Sequence, residues 1–400
     1  MKSSLRIRAV YVGINYRYLN PTPSHIAPML ARVFDMRFYG PGFVSETTLA
    51  RGLDAFIKGQ GGVDVIFVTK DFASGYPLER FGRFMSRYAS MLNGGTLTAS
   101  TLKDVRASLI RNRDRVVCFL TDLDPHAVPQ MDLDNFRLHA KYFVLWGKQF
   151  LNTLGDAEWA GVEGHLQRKL KMGHKLGLLD NFAVEEHERI INIGFFVSEP
   201  EFFWGGLINR PFDVAVPGTA YARRKHFLDA LARQSGRRRP NFNYRYFWKL
   251  ADRTPIRPYA NFYLLHMYNL LFQRKLSQTR LCITDGGANN YPVRKFFEIS
   301  AAGSVLGCPP TNGMEALGYR NRVTCIGVRT AEEAVELAHA VGSQPEQFET
   351  IAAAGREITF AHHTLTARSE QIDAAVRRII DTTFAGSYWK DGKFHLEERV

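Results

Sequence analysis

"RKFFEISAAGSVLG", residues 294–307, carries a helix, its stop and the start of a strand. Phe296, Phe297 and Ile299 recur at helical spacing, Ala301, Ala302 and Gly303 close the helix, and "SVLG" resumes as an apolar strand. Upstream, "TRLCITDGG" (279–287) reads as a buried strand ending in a glycine-rich loop, and Pro292 suits the first turn of the helix that follows. Strand, glycine loop, helix and strand in that order make a parallel α/β unit. Two charges interrupt the apolar helix. Arg294 sits in its first turn, where a cation opposes the helix dipole, and an anionic ligand gives a reason for it to be there. Glu298 lies four residues on, on the same face. A surface ion pair is the ordinary account of that spacing. The apolar neighbours favour instead a carboxylate facing a cleft, where it accepts two hydrogen bonds from a ribose diol.

The same rhythm extends in both directions. "RIRAVYVGI" (6–14) and "VDVIFVTKDF" (63–72) are β-branched, apolar runs with the character of buried parallel strands. "SHIAPMLARVF" (24–34) has helical spacing, "MRFYGPG" (36–42) is a short strand closed by a turn, and "TTLARGLDAFIKG" (47–59) is a helix with Thr47 as its N-cap. "DRVVCFLTDLD" (114–124) and "DNFRLHAKYFVLWGKQFL" (134–151) continue the alternation. A second series begins at "PFDVAVPGTAYARRKHFLDALARQ" (211–234): strand, glycine turn, basic helix. After "RVTCIGV" (322–328), a last strand, two helical segments follow. The expected fold class is α/β, with two Rossmann-like domains facing a cleft and a boundary near 195–210.

The chain has 400 residues, enough for two domains of ordinary size. Its four cysteines, Cys118, Cys282, Cys308 and Cys325, show no paired spacing and read as free thiols, so no zinc site is expected. The first residues have neither the apolar run nor the cleavage pattern of a signal peptide, and no stretch is apolar for long enough to span a membrane. The net charge is +13, and residues 205–280 hold fifteen Lys or Arg against three acids, +12 of that total. Such an excess implies a polyanionic partner: phosphates, nucleic acid, an anionic glycan or an anionic membrane surface.

Neither half carries a dinucleotide fingerprint, but each has a strand that ends on glycine before a helix: Gly13 in "VYVGINY" and Gly218 in "VAVPGTAYARRK". In open parallel sheets ligands bind beyond the carboxyl ends of strands, where helix N-termini point. Gly218, Thr219, Tyr221, Arg223 and Arg224 therefore stand where a phosphate would be received.

Three stretches resemble the C-terminal domain of GT-B glycosyltransferases, in particular the CgeB-like bacterial group. "RPFDVAVPGTAYARR" matches the family's first strand and turn through Phe212, Asp213, Gly218, Tyr221 and Arg224, with Ala222 where the family has Pro. "VRKFFEISAAGSVL" matches through Arg294, Glu298 and Gly303, and "AHHTLTARSEQI" through His363, Thr364 and Arg368. The resemblance covers about residues 195–380 and implies a donor domain over 201–380, an acceptor-side domain over 1–200 and a tail over 381–400. It implies that Glu298 holds the ribose of a nucleotide-sugar while Arg224 and Arg294 hold its diphosphate. Retaining members carry a second glutamate eight residues before this one; Asn290 stands there, so Asn289 or Asn290 becomes a candidate sugar contact and the stereochemistry stays open. An inverting enzyme needs a base from the first domain, for which Asp122, Asp124 and His25 are candidates.

The resemblance implies no metal and no cofactor, the nucleotide-sugar being a substrate. "GRRRPNFNYRYFWK" (236–249) places Arg237, Arg238 and Arg239 beside aromatics, suited to an anionic or lipid-linked glycan acceptor. Nucleic acid is the weaker partner, because no DNA- or RNA-binding motif accompanies the stretch. The expected protein is a metal-independent glycosyltransferase of bacterial polysaccharide synthesis, cytoplasmic, with peripheral contact at the inner membrane face. A DNA-modifying glycosyltransferase and a noncatalytic binder of an anionic polymer on the same scaffold stand as alternatives.

Overall fold

The computed structural model describes residues 6–15, 25–73, 97–120, 130–146, 187–198, 206–218, 222–235, 267, 270–286, 291–311 and 313–399. Its first sheet is built from β1 (Arg8–Val12), β2 (Asp35–Tyr39), β3 (Val65–Thr69), β4 (Val116–Phe119), β5 (Tyr142–Trp146) and β6 (Ile190–Ile193). They lie in the order β2-β1-β3-β4-β5-β6, and every pairing is parallel. The continuous apolar runs seen in the sequence follow from burial on both faces. Val10, Val12, Ile66, Val68 and Cys118 point to one side, against α3 (Leu53–Gly59), α5 (Ala99–Arg111) and α6 (Gln130–His139). Ala9, Tyr11, Phe67, Val117 and Phe119 point to the other, against α1 (Ile26–Ala31).

The run 47–59 is two helices. α2 (Glu46–Arg51) and α3 part at Gly52, whose φ of 84° belongs to the left-handed region that glycine enters at no steric cost. The N-cap is Ser45, not Thr47: the Ser45 hydroxyl accepts the Thr48 N–H at 3.3 Å. A short helix α4 (Lys70–Ala73) follows β3 directly.

The second sheet has the order β10-β9-β8-β7, again all parallel, from β7 (Phe212–Ala215), β8 (Thr279–Ile283), β9 (Val305–Cys308) and the two-residue β10 (Ile326–Gly327), all that forms of the expected strand 322–328. α7 (Ala222–Ser235) and α9 (Ala331–Ser343) cover one face through Phe227, Leu231, Ala334 and Val341. α8 (Arg294–Ala301) covers the other through Phe296, Phe297 and Ile299, with α10 (Glu349–His362) beyond it. The molecule is thus α/β with two Rossmann-like parallel units.

α8 ends where the sequence stops it. Gly303 has φ 66°, its N–H reaches Ser300 O at 2.9 Å, and the Ser304 N–H reaches Ile299 O at 3.2 Å. That pair of bonds is a Schellman motif, which requires the left-handed residue. The buried Arg210 then donates to Ala302 O at 2.9 Å and to Thr279 O at 2.8 Å.

Three helices, not two, follow β10. The third, α11 (Leu365–Ile380), leaves the second unit and packs Leu365, Ile372, Ala375, Val376 and Ile379 into the core beneath β1 and β3. Residues 381–400 hold an antiparallel hairpin, β11 (Phe384–Lys390) and β12 (Lys393–Glu398), where the sequence promised only a tail. It is anchored on β6: Trp389 Nε1 donates to Asn192 O at 2.8 Å, and the Asn192 N–H donates to Ser387 Oγ at 2.7 Å.

The chain passes between the units twice, at 194–198 and at 362–365, and the two passages are bridged. Val197 N–H donates to His363 O at 3.0 Å and Leu365 N–H to Val197 O at 2.8 Å. Arg368, fully buried, ties both: it donates to Gly194 O at 2.7 Å, Phe195 O at 2.9 Å and His362 O at 2.7 Å. Its guanidinium also reaches His363 Nδ1 at 2.7 Å. Arginine has no acceptor, so Nδ1 accepts and the ring proton sits on Nε2, which donates to Leu317 O at 2.8 Å. Burial first, and then Arg368, hold His363 well below the usual histidine range, so it stays neutral.

Candidate functional site

β7 and β8 end side by side, and α8 begins after the loop that leaves β8. The strand ends deliver Gly218 and Asp285, α8 delivers Arg294, Lys295 and Glu298, and α7 delivers Arg224. Gly218 turns with φ 95°. A side chain there would run into Lys295 Cε and come within 3.0 Å of Lys295 Nζ and Arg224 Nη1. The glycine is needed for its backbone angle and also for the space the two cations occupy above it.

Arg224 is buried and donates to Asp285 Oδ1 at 2.7 Å, with both side chains 5% exposed. Arg294 and Glu298 form the i, i+4 pair at 2.9 Å. The surface pair set aside on sequence grounds is therefore present, though half-buried, at 18% and 13% exposure, because Phe296 and Phe297 sink the helix into the core. Lys295 follows Arg294 directly and carries no signal of its own in the sequence. It is half-buried, and desolvation lowers its ammonium from the ordinary lysine value, with Glu298 and Asp285 opposing and Arg224 and Arg294 adding to the fall. α8 has Val293 at its N-cap with no side-chain cap, and its first turn holds no acid. Three cations, two acids and an uncapped helix N-terminus thus meet at one pair of strand ends, an arrangement able to receive a doubly charged anion.

His25 comes from the other unit, just before α1. Its ring meets Phe196 edge-on at 6.0 Å, and its pKa falls to about 3, through burial first and Arg294 second. The structure therefore brings His25 within electrostatic reach of the α8 cation. On the other side of the same passage Phe195 stacks on Tyr291, in the loop leading to α8, at 6.0 Å. Gly218, Arg224, Arg294, Glu298 and His25 are brought together. Thr219, Tyr221, Asn289, Asn290, Asp122, Asp124, Arg237, Arg238 and Arg239 lie outside the described residues. His363 and Arg368 stand at the passage between units rather than beside Gly218. Among the described residues no cluster of three His, Cys, Asp or Glu gathers as a metal-binding group, and no helix is long and apolar enough to cross a membrane.

Residues 223–374 match the model of a family described as glycosyl transferase-like. This stretch is glycosyltransferase-like. It opens one residue before Arg224 and runs past Arg368, so it takes in Arg294, Lys295 and Glu298. No curated protein matches the chain. Solved structures with similar folds include HepE of Anabaena in complex with UDP and glucose (11% identity, 93% of this chain and 99% of that one, TM-score 0.49). A glycosyltransferase of Rickettsia africae (12%, 94% and 100%, TM-score 0.46) and a sucrose-phosphate synthase of Thermosynechococcus elongatus (11%, 94% and 100%, TM-score 0.47) are comparable. At these scores the fold rests on the strand orders above, not on these neighbours.

Proposed function

We propose that the protein transfers a sugar from a nucleotide-sugar to an acceptor, as a GT-B glycosyltransferase with the donor on the second unit and the acceptor on the first. The observation that carries this is the convergence of Gly218, Arg224, Arg294, Lys295 and Glu298 at the ends of β7 and β8, the four charged residues lying inside the glycosyltransferase-like stretch. The α8 N-terminus and the basic side chains suit a nucleoside diphosphate, and Glu298 suits the ribose beside it. Charge that develops on the departing diphosphate is met by these fixed groups, so the proposal needs no metal. Of the three candidate bases on the first unit's side, His25 is the one among the described residues; at a pKa of about 3 it is a weak proton acceptor as it stands, and an anionic donor that screens Arg294 would raise its basicity. The acceptor proposed is an anionic or lipid-linked glycan, received by Arg237, Arg238 and Arg239.

A thermal-shift screen of uridine, guanosine, adenosine, cytidine and thymidine diphosphates tests the reading. A bound diphosphate at 100 times its dissociation constant stabilises the fold by about 2.7 kcal/mol. Stabilisation by one of them supports the donor site, and a flat response to all of them rejects it.

A further inference from the structure

We propose that Lys295, rather than Arg224, is the side chain that grips the donor's diphosphate, while Arg224 is a positioning residue that keeps the β7–β8 strand ends together. The inference rests on the donor reading above and divides the work among its three cations. Arg224 is already matched: it lies with Asp285 at 2.7 Å, and the pair is sealed at 5% exposure on both sides. Pulling Arg224 towards a ligand would strand a buried carboxylate, a costly exchange. Arg294 is likewise engaged, with Glu298 at 2.9 Å. Lys295 has no hydrogen bond or ion pair within the described residues, yet its stem is drawn over Gly218 into a half-buried position.

Holding an ammonium there costs desolvation that the charges of Glu298 and Asp285 offset only in part, and its lowered proton affinity reflects that cost. A free lysine at the start of a helix has open water available on the other side. This one is retained beside the uncapped N-terminus of α8, where a diphosphate would bring the missing negative charge. A second feature lies at the same strand ends. Thr284, next to Asp285, is fully buried, and its hydroxyl has no partner among the described residues. Gly218 is the enabling position, since any side chain there would displace the Lys295 stem.

The test is calorimetry with inorganic pyrophosphate, with the nucleoside diphosphate that stabilises the protein most, and with the matching nucleoside. Lys295→Met should weaken pyrophosphate and nucleoside diphosphate binding about 10- to 100-fold, the range for a lost charged hydrogen bond, and leave the nucleoside unchanged. It should melt no lower than wild type, because a desolvated cation has been removed. Lys295→Arg should recover most of the affinity. Arg224→Met should melt several degrees lower, since Asp285 is left buried and alone. Wild-type affinity in Lys295→Met, or equal losses for nucleoside and diphosphate, overturns the assignment of Lys295. Arg224→Met with normal melting and a selective diphosphate loss would reverse the two roles. A wild-type protein that binds no nucleoside diphosphate overturns the donor reading itself, and this inference with it.

Discussion

Acid should loosen this protein through His25 and His363, and the size of the effect can be worked out. Both rings titrate well below the ordinary histidine value of about 6.5, His25 at about 3 and His363 by full burial against Arg368. A group whose folded pKa is depressed contributes nothing above the unfolded pKa. As pH falls below that value the unfolded chain takes up a proton that the folded chain refuses, and stability is lost. Between pH 7.0 and 5.5 each such histidine removes about 1.2 kcal/mol, so the pair removes about 2.4 kcal/mol. Carboxylates titrate mostly below this window. The assay is urea denaturation of wild type and His363→Gln at both pH values. Glutamine keeps an acceptor for Arg368 and a donor for Leu317 O but cannot be protonated. The variant's own destabilisation cancels in the difference between pH values. Its acid loss should shrink by about 1.2 kcal/mol. An acid loss equal in the two proteins would refute the argument that His363 is held neutral.

Other expectations follow from the same geometry. Glu298→Gln should weaken nucleoside diphosphate binding by about 1–3 kcal/mol in calorimetry while melting normally, and unchanged affinity would remove Glu298 from the ribose. Asp285→Asn should cost about 3–5 kcal/mol of stability because it leaves Arg224 buried without its counter-charge, and the double variant Arg224→Met/Asp285→Leu should regain much of that in denaturant melts. Phe297→Ala, at a fully buried ring 5.5 Å from Tyr319 and 4.9 Å from His363, should cost about 3–5 kcal/mol and depress melting without changing the pH dependence of diphosphate binding.

The strands were legible because parallel sheets bury both faces, so β1, β3, β4 and β8 announce themselves as unbroken apolar runs. Gly303 was legible because the Schellman motif needs a residue that tolerates positive φ. Glu298 and Arg294 were legible as a pair, but their spacing alone could not separate ion pairing from ligand binding; the structure shows the pairing, half-buried. Lys295 was not legible, since its special character comes from Gly218, a residue distant in the chain that has no side chain to signal the contact. The return of α11 to the first sheet was also hidden. Its apolar stripe specifies burial but not which sheet does the burying. The third helix, the C-terminal hairpin and the Ser45 cap depend on tertiary packing and on local bonds that several neighbouring hydroxyls could have made.

On the proposed function, the second unit holds a nucleotide-sugar for transfer. Incubating the protein with a panel of nucleotide-sugars, without acceptor, and measuring release of nucleoside diphosphate tests it directly. Slow hydrolysis of at least one donor is expected, abolished or strongly reduced in Glu298→Ala and in Lys295→Met. No release from any donor, together with no nucleoside diphosphate that stabilises the fold, would contradict it.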